Sequence, residues 1–237
     1  MSAIRGARER ARIEVTAAIK DEARRQLAAE GAAKLSLRAV ARELGMVSSA
    51  LYRYFPSRDE LLTALIVDAY DSVGEAAEKA HRTALPDASV PAAHLNRWVA
   101  VACAVRDWAL AHPHEYALIY GSPVPGYTAP QTTVGPASRV GLVLIAVVQE
   151  AHRQEGLSLP PLAEELRPEA ERLAADLAPD LPPAVVAPLV AAWSQLFGLL
   201  SFELFGQFNR VVEAREVFFR QAVAELARAV GLLGGRR

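Results

Sequence analysis

The sequence predicts an all-α protein, and three observations predict it. Alanine, leucine, glutamate and arginine dominate; alternating runs of β-branched and aromatic residues are scarce; and apolar residues recur at a spacing of about 3.6. With 237 residues, 52% of them hydrophobic and 22% charged, the chain can bury a real core and does not have the composition of a disordered one. No repeat or low-complexity tract interrupts it.

Ile13, Ala17, Ala18, Ala23 and Leu27 set out the apolar face of a first helix, which ends near Glu30 before Gly31. Ser36 is an N-cap candidate for a short helix bearing Leu37, Val40, Ala41 and Leu44, closed by Gly45. A third segment, Ser48 to Phe55, carries Leu51 and Phe55 inward and is halted by Pro56. Ser57 caps a long fourth helix that starts at Arg58, has Asp59 and Glu60 in its first turn, and runs to about Thr83, with Pro86 as the break.

Val90 to Ala111 reads as a helix with Leu95, Trp98, Val99, Ala102, Val105 and Leu110 inward, followed by a shorter one from His114 to Tyr120. Residues 121–136 hold too many prolines and glycines for regular structure and read as a loop. Arg139 to Gln154 is a buried helix and Glu164 to Leu177 a short acidic one. Val185 to Phe208 is apolar around nearly its whole circumference, so it must be covered on every side. Ala214 to Leu233, with Val217, Phe218, Ala222, Leu226 and Val230, closes the chain.

The net charge of −1 hides an asymmetry. Residues 1–60 hold 12 basic and 8 acidic side chains, a net +4, and the remainder 14 and 19, a net −5. A basic head on an acidic body is the pattern expected if only the head touches phosphate. Cys103 is the single cysteine, and no apolar stretch follows the N-terminal arginines, so nothing indicates secretion and a cytoplasmic location is expected. The apolar run Val140–Val148 is about half of the roughly 18 residues a membrane span needs, so no membrane partner is expected.

Two short helices across Gly45-Met46, preceded by a longer helix in a basic segment, fit a helix-turn-helix whose second helix enters the major groove. The string Ser36-Leu37-Arg38-Ala39-Val40-Ala41-Arg42-Glu43-Leu44-Gly45, followed by Leu51-Tyr52-Arg53-Tyr54-Phe55-Pro56-Ser57-Arg58-Asp59-Glu60-Leu61, strongly resembles the N-terminal signature of the TetR family of repressors. The likeness covers about residues 12–62. It implies a homodimer, a helical ligand-binding body, and release of operator DNA when a small molecule binds. One departure stands out. Met46 and Val47 occupy positions where the family has a valine and then a hydroxyl or small residue, so Ser48 is expected to cap the reading helix one residue later.

The chemistry and the resemblance together assign DNA contacts to Arg38, Ser48, Ser49, Ala50, Tyr52, Arg53, Tyr54 and Arg58. Ser49, Ala50 and Arg53 reach base edges, with Arg53 either bidentate to guanine or on phosphate alone. Tyr52 and Tyr54 match aromatic positions where a hydroxyl meets phosphate above a packed ring, although Tyr52 also fits the core. Arg38 and Arg58 match phosphate-contact positions, Arg58 in charge only. Arg5, Arg8, Arg10 and Arg12 form either a groove-seeking arm or a solvated tail.

In the body, Trp193 to Leu204 more weakly resembles the tryptophan-histidine-glycine segment of one class of TetR C-terminal domains, with Phe197 in place of the histidine. Gly198, Ser201, Phe202, Phe205, Phe218 and Ala222 are the candidates for a four-helix dimer interface, against an intrachain core as the plain alternative. Trp98, Cys103, Trp108, Tyr116, Tyr120 and Phe197 are the candidates for a mainly hydrophobic effector pocket, and equally ordinary core residues.

A catalytic reading would rest on His112-Pro113-His114 with Glu115. Consecutive positions do not converge on one ion as an i, i+4 pair does, and no phosphate-cradling glycine loop exists, so no enzyme, metal or cofactor is expected. Cys103 reads as an inert thiol. The sequence thus divides at 57/58 into a helix-turn-helix domain, residues 1–57, and an effector-binding and dimerisation domain, residues 58–237. The expected function is a dimeric repressor on an inverted-repeat operator in double-stranded DNA, released by a small hydrophobic effector. A ligand-independent or activating regulator is the alternative, and a helical enzyme a distant third.

Overall fold

The computed structural model describes residues 2–84, 92–154 and 156–232, and among them ten α-helices and no strand. In chain order these are α1 (Ser2–Glu30), α2 (Leu37–Glu43), α3 (Ser48–Leu51), α4 (Arg58–Thr83), α5 (Ala93–Ala111), α6 (Pro113–Tyr120), α7 (Val134–Arg153), α8 (Arg167–Leu177), α9 (Pro183–Leu204) and α10 (Arg215–Val230). The all-α expectation and the helix-turn-helix head are therefore observed. Pro86, the expected start at Val90 and the expected end at Leu233 lie outside the described residues.

Two compact units result. The first comprises Met1–Tyr70 with His112–Pro136, the second Asp71–Ala111 with Ala137–Arg237. The first unit extends beyond the 57/58 boundary read from the sequence, and packing explains why. Leu61, Leu62, Leu65 and Ile66 of α4 lie in the same core as Ile19, Ala23, Leu27, Val40 and Leu51, and Leu118, Ile119 and Tyr127 pack against it. Tyr70 donates to the Ile119 carbonyl at 3.3 Å, and the Thr63 and Tyr127 hydroxyls lie 2.8 Å apart. A core so small gains from every helix that covers it.

Several elements differ in extent. α1 begins at Ser2, so the N-terminal arginines belong to a helix instead of an arm or a loose tail. Its core line is Ile19, Ala23 and Leu27, an i, i+4, i+8 row, while Ile13 is 60% exposed and Ala17 and Ala18 are exposed too. Leu110 is exposed on α5. The proline-rich loop is shorter than expected because a 3-10 turn, Gln131–Thr133, leads into α7 at Val134, and Pro136 is harmless in a first turn. α9 ends at Leu204 because Phe205 and the left-handed Gly206 turn the chain.

In the second unit α10 packs on α5 and α9, and α8 on α9. Ala192, Leu196 and Leu200 of α9 are buried, but Trp193 and Phe202 are not, so one chain does not cover this helix on every side. Phe219, Val223, Leu226 and Val230 are buried on α10, whereas Val217 and Phe218 face outward. By length and mean hydropathy the segment Gln131–Arg153 and α9 are each able to cross a membrane, and each also buries part of its surface within the protein.

Ion pairs fix the registers of these helices. Arg139 of α7 donates to both Glu78 oxygens, at 2.8 and 2.9 Å, and to the carbonyl and carboxylate of Asp71, holding the Glu78 carboxyl below its usual range. Gly74 makes this approach possible, since a Cβ there would sit 2.7 Å from the Arg139 side chain. Buried Arg97 pairs with Glu150 and donates to the Ala84 carbonyl at 2.7 Å. Arg106 of α5 grips Glu203 of α9 through two bonds, of 2.6 and 2.8 Å, with side chains only 11% and 6% exposed, and lies over the Phe219 ring of α10.

Glu203→Ala would leave Arg106 buried without its carboxylate and is expected to cost about 3–5 kcal/mol in a urea titration, with a matching fall in Tm. The Arg106→Met, Glu203→Leu pair is expected close to wild type. A loss below about 1 kcal/mol for Glu203→Ala would mean that the pair behaves as a solvated one.

Candidate nucleic-acid interface

The local chemistry of the head follows from its caps. The Ser36 hydroxyl accepts from the Ala39 N–H at 3.4 Å, opening α2. Gly45, at φ +64°, makes the turn that a Cβ would strain, and Met46 N–H returns to the Ala41 carbonyl at 2.8 Å. The Ser57 hydroxyl accepts from Glu60 N–H at 3.1 Å, opening α4 as expected.

α3 departs from the sequence reading in two ways. Ser48 is its first helical residue and not its cap; the cap position is Val47, at φ −70°, ψ 137°, which offers no side-chain acceptor. The regular helix also ends at Leu51, after which Arg53 N–H bonds the Ala50 carbonyl and Tyr54 N–H the Leu51 carbonyl, a tighter winding that brings Phe55 into the core.

With Leu51 and Phe55 buried, the side chains between them are forced outward. Arg38, Ser48, Ser49, Tyr52 and Arg53 are exposed, and Ala50 and Tyr54 half-buried. Tyr54 packs its ring against the core, in keeping with a packed aromatic that keeps its hydroxyl near the surface. Among the described residues, Arg38 and Arg53 make no side-chain hydrogen bond or ion pair, nor do the hydroxyls of Ser48 and Ser49. These four groups are thus unspent donors on one small surface.

Arg58 is different. Its guanidinium donates to the carbonyls of Ala32 at 2.8 Å and Leu35 at 3.2 Å, the residues of the α1–α2 turn, and its carboxylate neighbour is Asp59 at 3.4 Å. Whatever it contributes to DNA, this guanidinium ties together the head, since its planar fork reaches two carbonyls and a carboxylate at once. Nothing in the sequence marks these carbonyls as its partners.

Sequence reasoning also passed over two features. Val47 is 70% exposed beside Ser48 and Ser49. A groove of about 650 Å³ is lined by α1 and α4 residues, including Arg12, Ile13, Lys20, Arg24 and Asp68, and by Tyr54 and Phe55. Its cations are largely neutralised, as Lys20 and Arg24 both bind Asp68, at 2.8 and 2.7 Å.

The residues matched to an effector pocket come from both units. Trp98, Cys103, Trp108 and Phe197 belong to the second unit, whereas Tyr116 and Tyr120 belong to the first, where Tyr120 stands edge-on to Tyr70 at 5.9 Å. Trp98, Trp108 and Phe197 are buried, and Trp108 donates to the Ser72 hydroxyl at 2.8 Å. Burial pushes the half-buried Cys103 thiol up, away from thiolate chemistry. Of the interface candidates, Gly198, Phe202, Phe205 and Phe218 are exposed, and Ser201 and Ala222 half-buried. Among the described residues no group of three or more His, Cys, Asp or Glu side chains is placed to hold a metal.

Comparison with known proteins adds the following. Residues 19–65 match the family described as bacterial regulatory proteins, tetR family, and residues 98–226 the Tetracyclin repressor-like C-terminal domain. The chain is 40% identical over 211 residues to HTH-type transcriptional regulator Rv1816 of Mycobacterium tuberculosis, covering 86% of each protein. It is 34% identical to the regulatory protein SCO4313, whose crystal structure it matches at a TM-score of 0.76 over 92% of this chain and 97% of that one. The fold alone is shared with PfmR, a TetR family transcriptional regulator from Thermus thermophilus, at 18% identity and a TM-score of 0.56 over 89% and 97% of the two chains.

Arg58→Ala is expected to lower stability by about 1.5–3 kcal/mol through loss of its charged bonds to the carbonyls, and Arg58→Lys to recover only part. Urea midpoints beside DNA affinity decide this. Unchanged stability with weakened binding would return Arg58 to the phosphate.

Proposed function

The chain belongs to the TetR family of DNA-binding transcriptional regulators, and on that premise we propose that it is a homodimeric repressor of an inverted-repeat operator, released by a small, mainly hydrophobic effector. The observation that carries the reading is the surface of unspent donors, Arg38, Ser48, Ser49 and Arg53, held outward by the burial of Leu51 and Phe55. Arg53 presents a free fork for a guanine edge, and Arg38 a free cation for phosphate. Tyr52 and Tyr54 add hydroxyls, and Ala50 lets the backbone come close. A regulator of this family, with its partner in DNA, acts in the cytoplasm, and family membership speaks against an enzyme.

The dimer face we assign to α9, α10 and the turn between them. Phe202, Phe208 and Phe218 stack edge to face at 5.7 and 5.6 Å while Phe202 and Phe218 remain exposed, with Phe205 beside them in sequence. Clustered exposed aromatics of this size are what an interface covers. Gly198 supports it, because a Cβ there would meet no atom of its own unit within 4 Å, so intrachain packing does not require glycine. Ser201 and Ala222 keep the neighbouring positions small. The effector reading rests on the match of residues 98–226 to a repressor-like C-terminal domain. All six pocket candidates, Trp98, Cys103, Trp108, Tyr116, Tyr120 and Phe197, lie within that matched segment.

Selection from a random duplex pool is expected to recover an inverted repeat with half-site centres about 34 Å apart. Arg53→Ala is expected to weaken binding about tenfold to hundredfold and relax preference at one base per half-site. Recovery of no sequence by refolded, ligand-stripped protein would end the repressor reading. Phe202→Asp is expected to yield monomers by analytical ultracentrifugation, with loss of operator binding; a dimer that persists would move the interface elsewhere.

A further inference from the structure

Val47 occupies the one position in α3's approach where a side chain could close the first turn, and it carries no acceptor to do so. Serine, threonine, aspartate or asparagine there would stabilise the helix start. Its isopropyl group is also 70% exposed, among the most exposed large apolar side chains of the described residues. A four-residue helix thus forgoes a side-chain cap and holds an apolar group in water at the same point.

What surrounds Val47 indicates what would cover it. Ser48, Ser49 and Arg53 beside it carry unspent polar groups, and Val47 is the most exposed aliphatic side chain of this largely polar patch, where Tyr52 is 42% exposed and Met46 and Ala50 are half-buried. The major groove of B-DNA has the complementary pattern, base-edge donors and acceptors with one apolar group, the C5 methyl of thymine. Cytosine at the same place presents no methyl. We propose that Val47 is a specificity-determining residue that packs on a thymine methyl in each operator half-site. This rests on the reading of α3 as the major-groove helix.

The test uses the full-length protein and the inverted repeat selected by wild type. Each thymine of the half-site is replaced in turn by deoxyuridine, symmetrically in both halves, which removes a methyl and nothing else. Wild type and Val47→Ala are titrated against every duplex. At one thymine per half-site, wild type is expected to lose about fourfold for each methyl, the value of one buried carbon, hence roughly sixteenfold for the pair. Val47→Ala is expected to bind the thymine and uracil duplexes alike, with an unchanged Tm. Equal losses for both proteins at every position, or a Val47→Ala defect that ignores the methyl, would overturn the proposal while leaving the helix-turn-helix reading intact. Failure of wild type to select any sequence would overturn both.

Discussion

The surface assigned to DNA depends on the burial of Leu51. A helix of four residues has no stability of its own, because its few hydrogen bonds do not repay nucleation. Only its apolar anchors hold it. Leu51 is fully buried and Phe55 nearly so, in one core with Ile19, Ala23, Val40, Ala41 and Leu61. Once those two face inward, helical geometry leaves Ser48, Ser49, Tyr52 and Arg53 no direction but outward. A slip of one residue would exchange Leu51 for Tyr52, bury a hydroxyl and withdraw the reading surface together. The Arg58 fork adds a polar constraint to the same end, since it ties the turn preceding α2 to the start of α4.

The second unit is specified by a different kind of contact. Its helices are rich in alanine and valine, whose side chains discriminate poorly between neighbouring registers. Arg139 on Asp71 and Glu78, Arg97 on Glu150, and Arg106 on Glu203 do discriminate, because a displaced partner would leave a shielded charge unpaired. The Arg106–Glu203 pair also settles which face of α9 turns inward. Glu203 is buried toward α5, so its neighbour Phe202 points away, into solvent, beside Phe218. A polar bond inside the unit thereby exposes the aromatic surface assigned to a second copy.

Much of this was legible in the sequence, and the reasons are local. Ser36, Gly45 and Ser57 act as caps and a turn through atoms within a few residues, and the apolar rows of α2, α4 and α9 are periodicities of the chain itself. What stayed hidden is non-local or negative. α6 joins the head core through Leu118 and Ile119, contacts some fifty residues away from their partners in sequence. Arg58 finds backbone carbonyls, which have no signature by residue type. The start of α3 escapes a search for a serine cap because a valine stands there.

The cations of the head are not all available to DNA. Of the cations that give the first sixty residues their net +4, several are committed elsewhere: Lys20 and Arg24 to Asp68, Arg25 to Glu22, Arg42 to Glu43, Arg58 to carbonyls. Non-specific affinity for DNA grows with each phosphate neutralised, the salt dependence steepening by roughly 0.9 per contact. On the proposed function, a head that commits five of its twelve cations within its own fold is expected to hold duplex DNA more weakly wherever the sequence is wrong. On the proposed reading, discrimination falls to the groove, where Arg53, the serine hydroxyls and the valine methyls would each add or withhold a contact. The same internal ion pairs that stabilise the head therefore raise the share of binding that depends on sequence.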